Sequence, residues 1–113
     1  MKINRELMKG STSILILALL AEEEMYGYKI IQTLKARSEN IFELKEGTLY
    51  PMLHALENEK AIESYWENVD NKMRKYYRIT VGGRKLFESK KEEWQVYTGA
   101  INSIIQGGAY CHA

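Results

Sequence analysis

Six basic side chains, Lys72, Arg74, Lys75, Arg78, Arg84 and Lys85, fall within one stretch of the chain that holds no carboxylate. The whole sequence has 16 Lys and Arg against 15 Asp and Glu, so everything outside that stretch is net acidic. A basic strip on an acidic body is the footprint of a polyanion; the plain alternative is a solvated charged surface. A second group lies upstream, where Gly47, Thr48, Pro51, His54 and Asn58 share one side of a helical repeat. These residues are small or able to hydrogen-bond, with no carboxylate among them, while Leu49, Leu53 and Leu56 mark the opposite, inward side. The hydroxyls of Thr48 and Tyr50 suit a phosphate at a helix N-terminus, where free N–H groups and the helix dipole favour negative charge. His54 is long enough to reach a base edge or a phosphate, and a solvent-exposed helix histidine is its ordinary alternative.

Signals for catalysis are missing from the sequence: it has no Gly-rich phosphate loop, no metal-spaced His/Cys set and no nucleophile motif. Neither an enzyme activity, a cofactor nor a metal is therefore expected, and Cys111-His112 is too small a group to change that. One cysteine cannot close an intrachain disulfide, which suits a reducing cytoplasm. The apolar run from Ile14 to Ala21 falls far short of the ~20 residues that a bilayer span requires, so no membrane role is expected.

The elements that must position these groups follow from periodicity. A first helix is predicted over about Gly10 to Ala21, apolar nearly all round and so covered on several sides. A second is predicted from Tyr26 to Ser38, with Ile30, Ile31 and Leu34 inward, and a third from Glu46 to Glu59. Pro51, lacking an N–H, belongs in or next to the first turn of the third helix or kinks it. Ile62 to Trp66 and Met73 to Ile79 are rich in β-branched and aromatic residues and read as strands, with Glu67 to Lys72 as the turn. On the second strand Tyr77 and Ile79 share one face, and Arg74, Tyr76 and Arg78 the other. Thr80 caps a last helix from Val81 to about Gln106, ended by Gly107-Gly108. The fold class is mostly α with a small β-hairpin (α+β): a winged helix-turn-helix, in which the third helix enters the major groove.

The last helix carries a second pattern. Phe87, Trp94 and Ile101 fall at heptad position a, and Tyr97 and Ile104 at d, with Lys90 interrupting the seam. Two to three heptads are too few for an autonomous coiled coil, so the stripe is expected to pair with a second subunit and the first helix. Packing within one monomer is the alternative. Trp94, with Tyr97 near it, is filler at that seam or one wall of a slot for a planar aromatic ligand. The chain then divides into a DNA-binding part (1–80), a dimerisation helix (81–106) and a flexible tail (107–113).

The sequence resembles the PadR family of bacterial regulators. Tyr26-Gly27-Tyr28-Lys29-Ile30, Glu46-Gly47-Thr48-Leu49-Tyr50-Pro51, Leu53, Leu56-Glu57, Arg74-Lys75-Tyr76-Tyr77-Arg78-Ile79-Thr80 and Gly83 carry the likeness, which spans Met8 to about Ile105. The resemblance implies a homodimeric, repressor-type winged-helix protein of the short-tailed branch, with a single C-terminal helix. It also implies that Thr48, Tyr50 and Pro51 belong to the recognition element, and Lys72, Arg74, Lys75 and Tyr76 to the wing. Some short-tailed relatives bind planar drugs between paired tryptophans where Trp94 lies. The expected function is a regulator that binds double-stranded DNA at a palindromic promoter site. A small-molecule sensor at the dimer seam and a protein-interaction module on the same scaffold are the alternatives.

Overall fold

The computed structural model describes residues 5–107, with side chains from residue 10 onward. The order is α1 (Arg5–Glu22), β1 (Met25–Tyr26), α2 (Gly27–Arg37), α3 (Glu46–Asn58), β2 (Ile62–Val69), β3 (Lys72–Ile79) and α4 (Val81–Ile105). The expected tail begins at Gly107, and residues 108–113 lie outside the described residues.

Three helices close over one face of a small sheet. Ile16, Leu17, Leu19 and Leu20 of α1 meet Ile30 and Leu34 of α2 and Leu49, Leu53 and Leu56 of α3, and Ile62 and Tyr77 seal the cluster from the sheet. Each such side chain removed from water contributes roughly 1.5–3 kcal/mol before the cost of ordering the chain. The inward stripes expected for α2 and α3 are the buried ones, and α1 is covered on several sides as its all-round apolar sequence requires. It begins five residues earlier than the expected Gly10, at Arg5.

Helices α2 and α3 stop without glycine. Glu39 and Lys60 take positive φ values of 52° and 62° just past the two helix ends. The next amides reach back, Asn40 N–H to the Lys35 carbonyl (2.8 Å) and Ala61 N–H to that of Leu56 (2.9 Å). Both are the six-to-one closure that satisfies terminal carbonyls, here at left-handed residues that carry a Cβ.

The hairpin departs from expectation. The turn is two residues long, not the stretch Glu67 to Lys72, because β2 and β3 pair continuously from Ile62↔Ile79 to Val69↔Lys72. Asp70 and Asn71 have φ of 53° and 65°, the paired left-handed conformation of a tight hairpin turn whose twist matches the strands. Asp and Asn tolerate it better than most residues. Nor is the sheet a bare hairpin. Met25 pairs with Tyr77 and Tyr26 with Tyr76, giving an antiparallel sheet of order β1-β3-β2.

A joint ties α4 to this body. The Thr80 hydroxyl donates to the Lys60 carbonyl (2.7 Å) and accepts from Gly83 N–H (2.9 Å), the expected cap. Gly83 is buried against the Ala61 backbone, and a methyl group there would overlap the Ala61 carbonyl. Beyond that point α4 runs along α1.

Candidate nucleic-acid interface

Helix α3 presents the side expected of it. Leu49, Leu53 and Leu56 are buried, while Gly47, Thr48, Pro51, His54, Ala55 and Asn58 are exposed. Pro51 is neither in the first turn nor just before it. It lies inside α3, so the Gly47 carbonyl one turn earlier has no intrahelical N–H partner. Lys45 precedes the helix in extended conformation (φ −105°, ψ 161°) and supplies no side-chain cap; its carbonyl accepts from the Thr48 and Leu49 N–H groups (3.0 and 2.9 Å), which leaves the Glu46 and Gly47 amides without an intrahelical acceptor.

Tyr50 and Glu57 stand on the flank that turns toward the sheet. The Tyr50 ring seats its hydroxyl on Gly27, where any Cβ would collide with it, and so clamps α3 to the start of α2. Glu57 accepts a 2.7 Å hydrogen bond from the Ser64 hydroxyl of β2. Burial first, then the neighbouring Glu57 carboxylate and Tyr50, push the Tyr77 phenol up to about 12. Helix α3 is thereby fixed to both α2 and the hairpin.

The residues expected on the wing divide between its two faces. Lys75 points to the same side as Tyr77, with its ammonium 5.8 Å from the centre of that ring. Lys72, Arg74 and Tyr76 belong to the other face by the alternation of the register. There Tyr76 stacks on Tyr65 (5.8 Å, 17°) and meets Tyr26 edge-on (5.5 Å), while Arg74 lies 4.5 Å from the centre of the Tyr26 ring. The Tyr65 hydroxyl donates to Glu24 at 2.7 Å, and that bond is the main reason its phenol is pushed up to about 12. Arg78 donates to Glu63 at 2.7 Å, which raises its pKa further and neutralises it locally. Arg84 and Lys85 lie on α4, and Arg84 reaches the Ala21 carbonyl. Of the basic residues expected on the wing, Lys72, Arg74 and Lys75 are thus left without a carboxylate partner among the described residues, and Lys45 and Lys60 add exposed positive charge at the two ends of α3.

What this arrangement can do is present a carboxylate-poor helix face and a cationic hairpin to one extended polyanion. Among the described residues no cluster of His, Cys, Asp and Glu could hold a metal ion, and no helix is long and apolar enough to cross a membrane. Residues 16–89 match the model of the transcriptional regulator PadR-like family.

The chain belongs to the PadR-like family of transcriptional regulators. It is a DNA-binding regulator built on the winged-helix fold. Solved members and relatives extend the match over most of the chain. A transcriptional regulator from Clostridium thermocellum is 36% identical, with a TM-score of 0.81 over 87% of this chain and 96% of its own. A PadR family transcriptional regulator from Eggerthella lenta is 29% identical, with a TM-score of 0.80 over 91% and 88%. The transcriptional regulator Rv3488 of Mycobacterium tuberculosis is 35% identical over 80 residues, 71% of this chain and 72% of that one.

In this PadR-like chain, the surroundings of Trp66 and Tyr26 become visible only in the fold. Tyr26 enters through a strand of two residues, too short for any periodic signal. Trp66 ends the strand expected from the sequence, and only the longer pairing shows which residues lie across from it. With the hairpin closed at Asp70-Asn71, alternation alone assigns Trp66 to the face of Ser64 and Tyr77.

On α4, Phe87 packs against the monomer's own core cluster. The exposed part of the heptad stripe starts at Trp94 and includes Tyr97 and Ile104, while Ile101 is half-buried. Trp94 and Tyr97 lie 6.3 Å apart, ring centre to ring centre. They line an open cleft of about 380 Å³ together with Gly10, Ser13, Ile14, Lys90 and Glu93.

Proposed function

We propose that this regulator is a repressor that binds a palindromic promoter site as a homodimer, with residues 1–80 on DNA and the helix 81–106 joining the subunits. Thr48, Pro51 and His54 meet the major groove from α3, with Tyr50 holding the helix at its angle. Lys72, Arg74 and Lys75, with Tyr76 bracing the strand, run along the sugar-phosphate backbone. Backbone contacts of this kind fix register and affinity, and base edges and DNA shape supply sequence preference. The observation that carries the reading is the exposed α3 face without a carboxylate, bonded through Glu57 and Ser64 to the hairpin that bears the free lysines.

Dimerisation is supported by α4. Ile104 is 80% exposed and Tyr97 59%, a state that burial against a second copy relieves. A twofold dimer of this kind meets half-sites about one helical turn (~34 Å) apart. Selection of bound DNA from a random pool at two salt concentrations tests the reading. It should return an inverted repeat, with affinity falling steeply as salt rises. Recovery of unrelated sequences, or a single subunit mass at micromolar concentration, would overturn it.

Release by a small planar aromatic ligand is favoured by one observation, the cleft lined by the Trp94 and Tyr97 rings, with Lys90 and Glu93 both on its wall. An aromatic cation suits that lining. Planar aromatic cations should quench Trp94 emission in a Trp66→Phe background and fail to act on Trp94→Ala. A panel with no quenching counts against a sensor.

A further inference from the structure

Trp66 is 62% exposed and Met73 58%, yet neither belongs to the core, to the α4 stripe or to an ion pair. The register explains where they stand. Ser64 and Tyr77 are cross-strand partners on the sheet face that α3 packs against, and the Ser64 hydroxyl touches α3 through Glu57. The next pair outward on that face is Trp66↔Lys75, and the one after is Asn68↔Met73. Trp66 and Met73 are diagonal neighbours across the strands, within reach of each other for a side chain of indole size.

Distances along the strand then decide what lies opposite. At about 3.3 Å per residue, Trp66 sits roughly 7 Å beyond Ser64 and the Met73 level roughly 13 Å beyond it. With α3 in a major groove about 12 Å wide, that reach carries the hairpin over one phosphate ridge to the adjoining minor groove. The flank of α3 nearest this path holds Glu57 and, next around the helix, the exposed His54. On the same sheet face Lys75 is the cross-strand partner of Trp66, so the apolar pair has a cation beside it suited to a phosphate wall. Apolar side chains that enter a minor groove part a base step and favour sequences that unstack easily.

We propose that Trp66, backed by Met73, is an apolar wedge that contacts the minor groove flanking each half-site, making the wing a reader of DNA deformability as well as a phosphate clamp. This rests on the reading of α3 in the major groove. The wedge contributes through apolar contact, whereas Lys75 contributes through charge, and the two separate by salt dependence.

The test uses the full chain and the operator recovered by selection, with the flanking steps either pyrimidine–purine or G·C-rich. Trp66→Ala should weaken binding to the flexible-flank operator about ten- to thirtyfold, as loss of a buried large side chain implies. It should leave the slope of affinity against salt unchanged and abolish the preference for the flexible flank. Trp66→Phe should keep most of that preference. Lys75→Ala should lower the salt slope by about one and keep it. In Trp94→Phe, the emission of Trp66 should change on DNA binding. Parent-like affinity and flank preference in Trp66→Ala, with the parent bound and His54→Ala impaired, would overturn the wedge and leave the groove reading intact. Failure of the parent to bind any recovered operator would overturn both.

Discussion

The body of the molecule and its last helix use apolar side chains in opposite ways. In residues 10–80, Leu, Ile and Tyr from three helices and a sheet converge on one closed cluster. Along α4 only Gly83 is fully buried, and Trp94, Val96, Tyr97, Ile104 and Ile105 remain exposed. Only the first part of this helix of 25 residues, through Leu86 and Phe87, reaches that core. The first region closes its apolar surface on itself; the second leaves much of its own exposed.

The joint between the two regions is the most sensitive place to break that contrast. Gly83→Val should cost at least about 3 kcal/mol, because its side chain has only the Ala61 backbone and the Ile79 side chain to displace. Urea unfolding measures it, and an unchanged midpoint would mean that the regions are not locked together. Next comes the spine. Trp94→Glu combined with Ile104→Glu should raise the dimer dissociation constant about a hundredfold or more by sedimentation, since each removes apolar area and adds a charge to the seam. The far-ultraviolet signature of the body should survive, because neither residue belongs to its core.

A pH series sharpens the body's side of the comparison. Tyr77 has its pKa raised in the folded state to about 12. The folded form thus holds its proton longer than the unfolded chain, and the stabilisation is complete below pH 10 and lost as pH rises from 10 to 12. Stability should fall across that window, and Tyr77→Phe should make the fall shallower by about 1–2 kcal/mol. Tyr65, raised by Glu24, acts in the same window. The smallest effect is expected from Thr80→Ala, which removes a cap of about 1 kcal/mol without creating the overlap that Gly83→Val does.

Much of this was legible beforehand because it is periodic. The stripes at Ile30 and Leu34 and at Leu49, Leu53 and Leu56 located α2, α3 and the exposed face between them, and Thr80 marked the start of α4. What escaped was set by tertiary context or by single residues. Lys60 and Glu39 end their helices in left-handed conformations without the glycine that usually signals it. Met25–Tyr26 becomes a strand only because β3 lies beside it. At the candidate site, the types of Lys72, Arg74 and Lys75 pointed to a polyanion. Alternation already separated Arg74 from the face of Tyr77, but the neutralisation of Arg78 by its cross-strand partner Glu63 needed the register. Phe87 fits a heptad as well as Trp94 does, and only the proximity of the core separates their roles.

The same joint has a mechanical meaning. With Thr80 bonded to the end of α3's closing turn and Gly83 wedged under Ala61, the start of α4 is held to the body before the helix runs along α1. In a pair of subunits coupled through such helices, a slight pivot at that joint becomes a large change in how far apart the two reading helices stand. On the proposed pairing, the angle held at this joint would set the spacing of the two α3 helices.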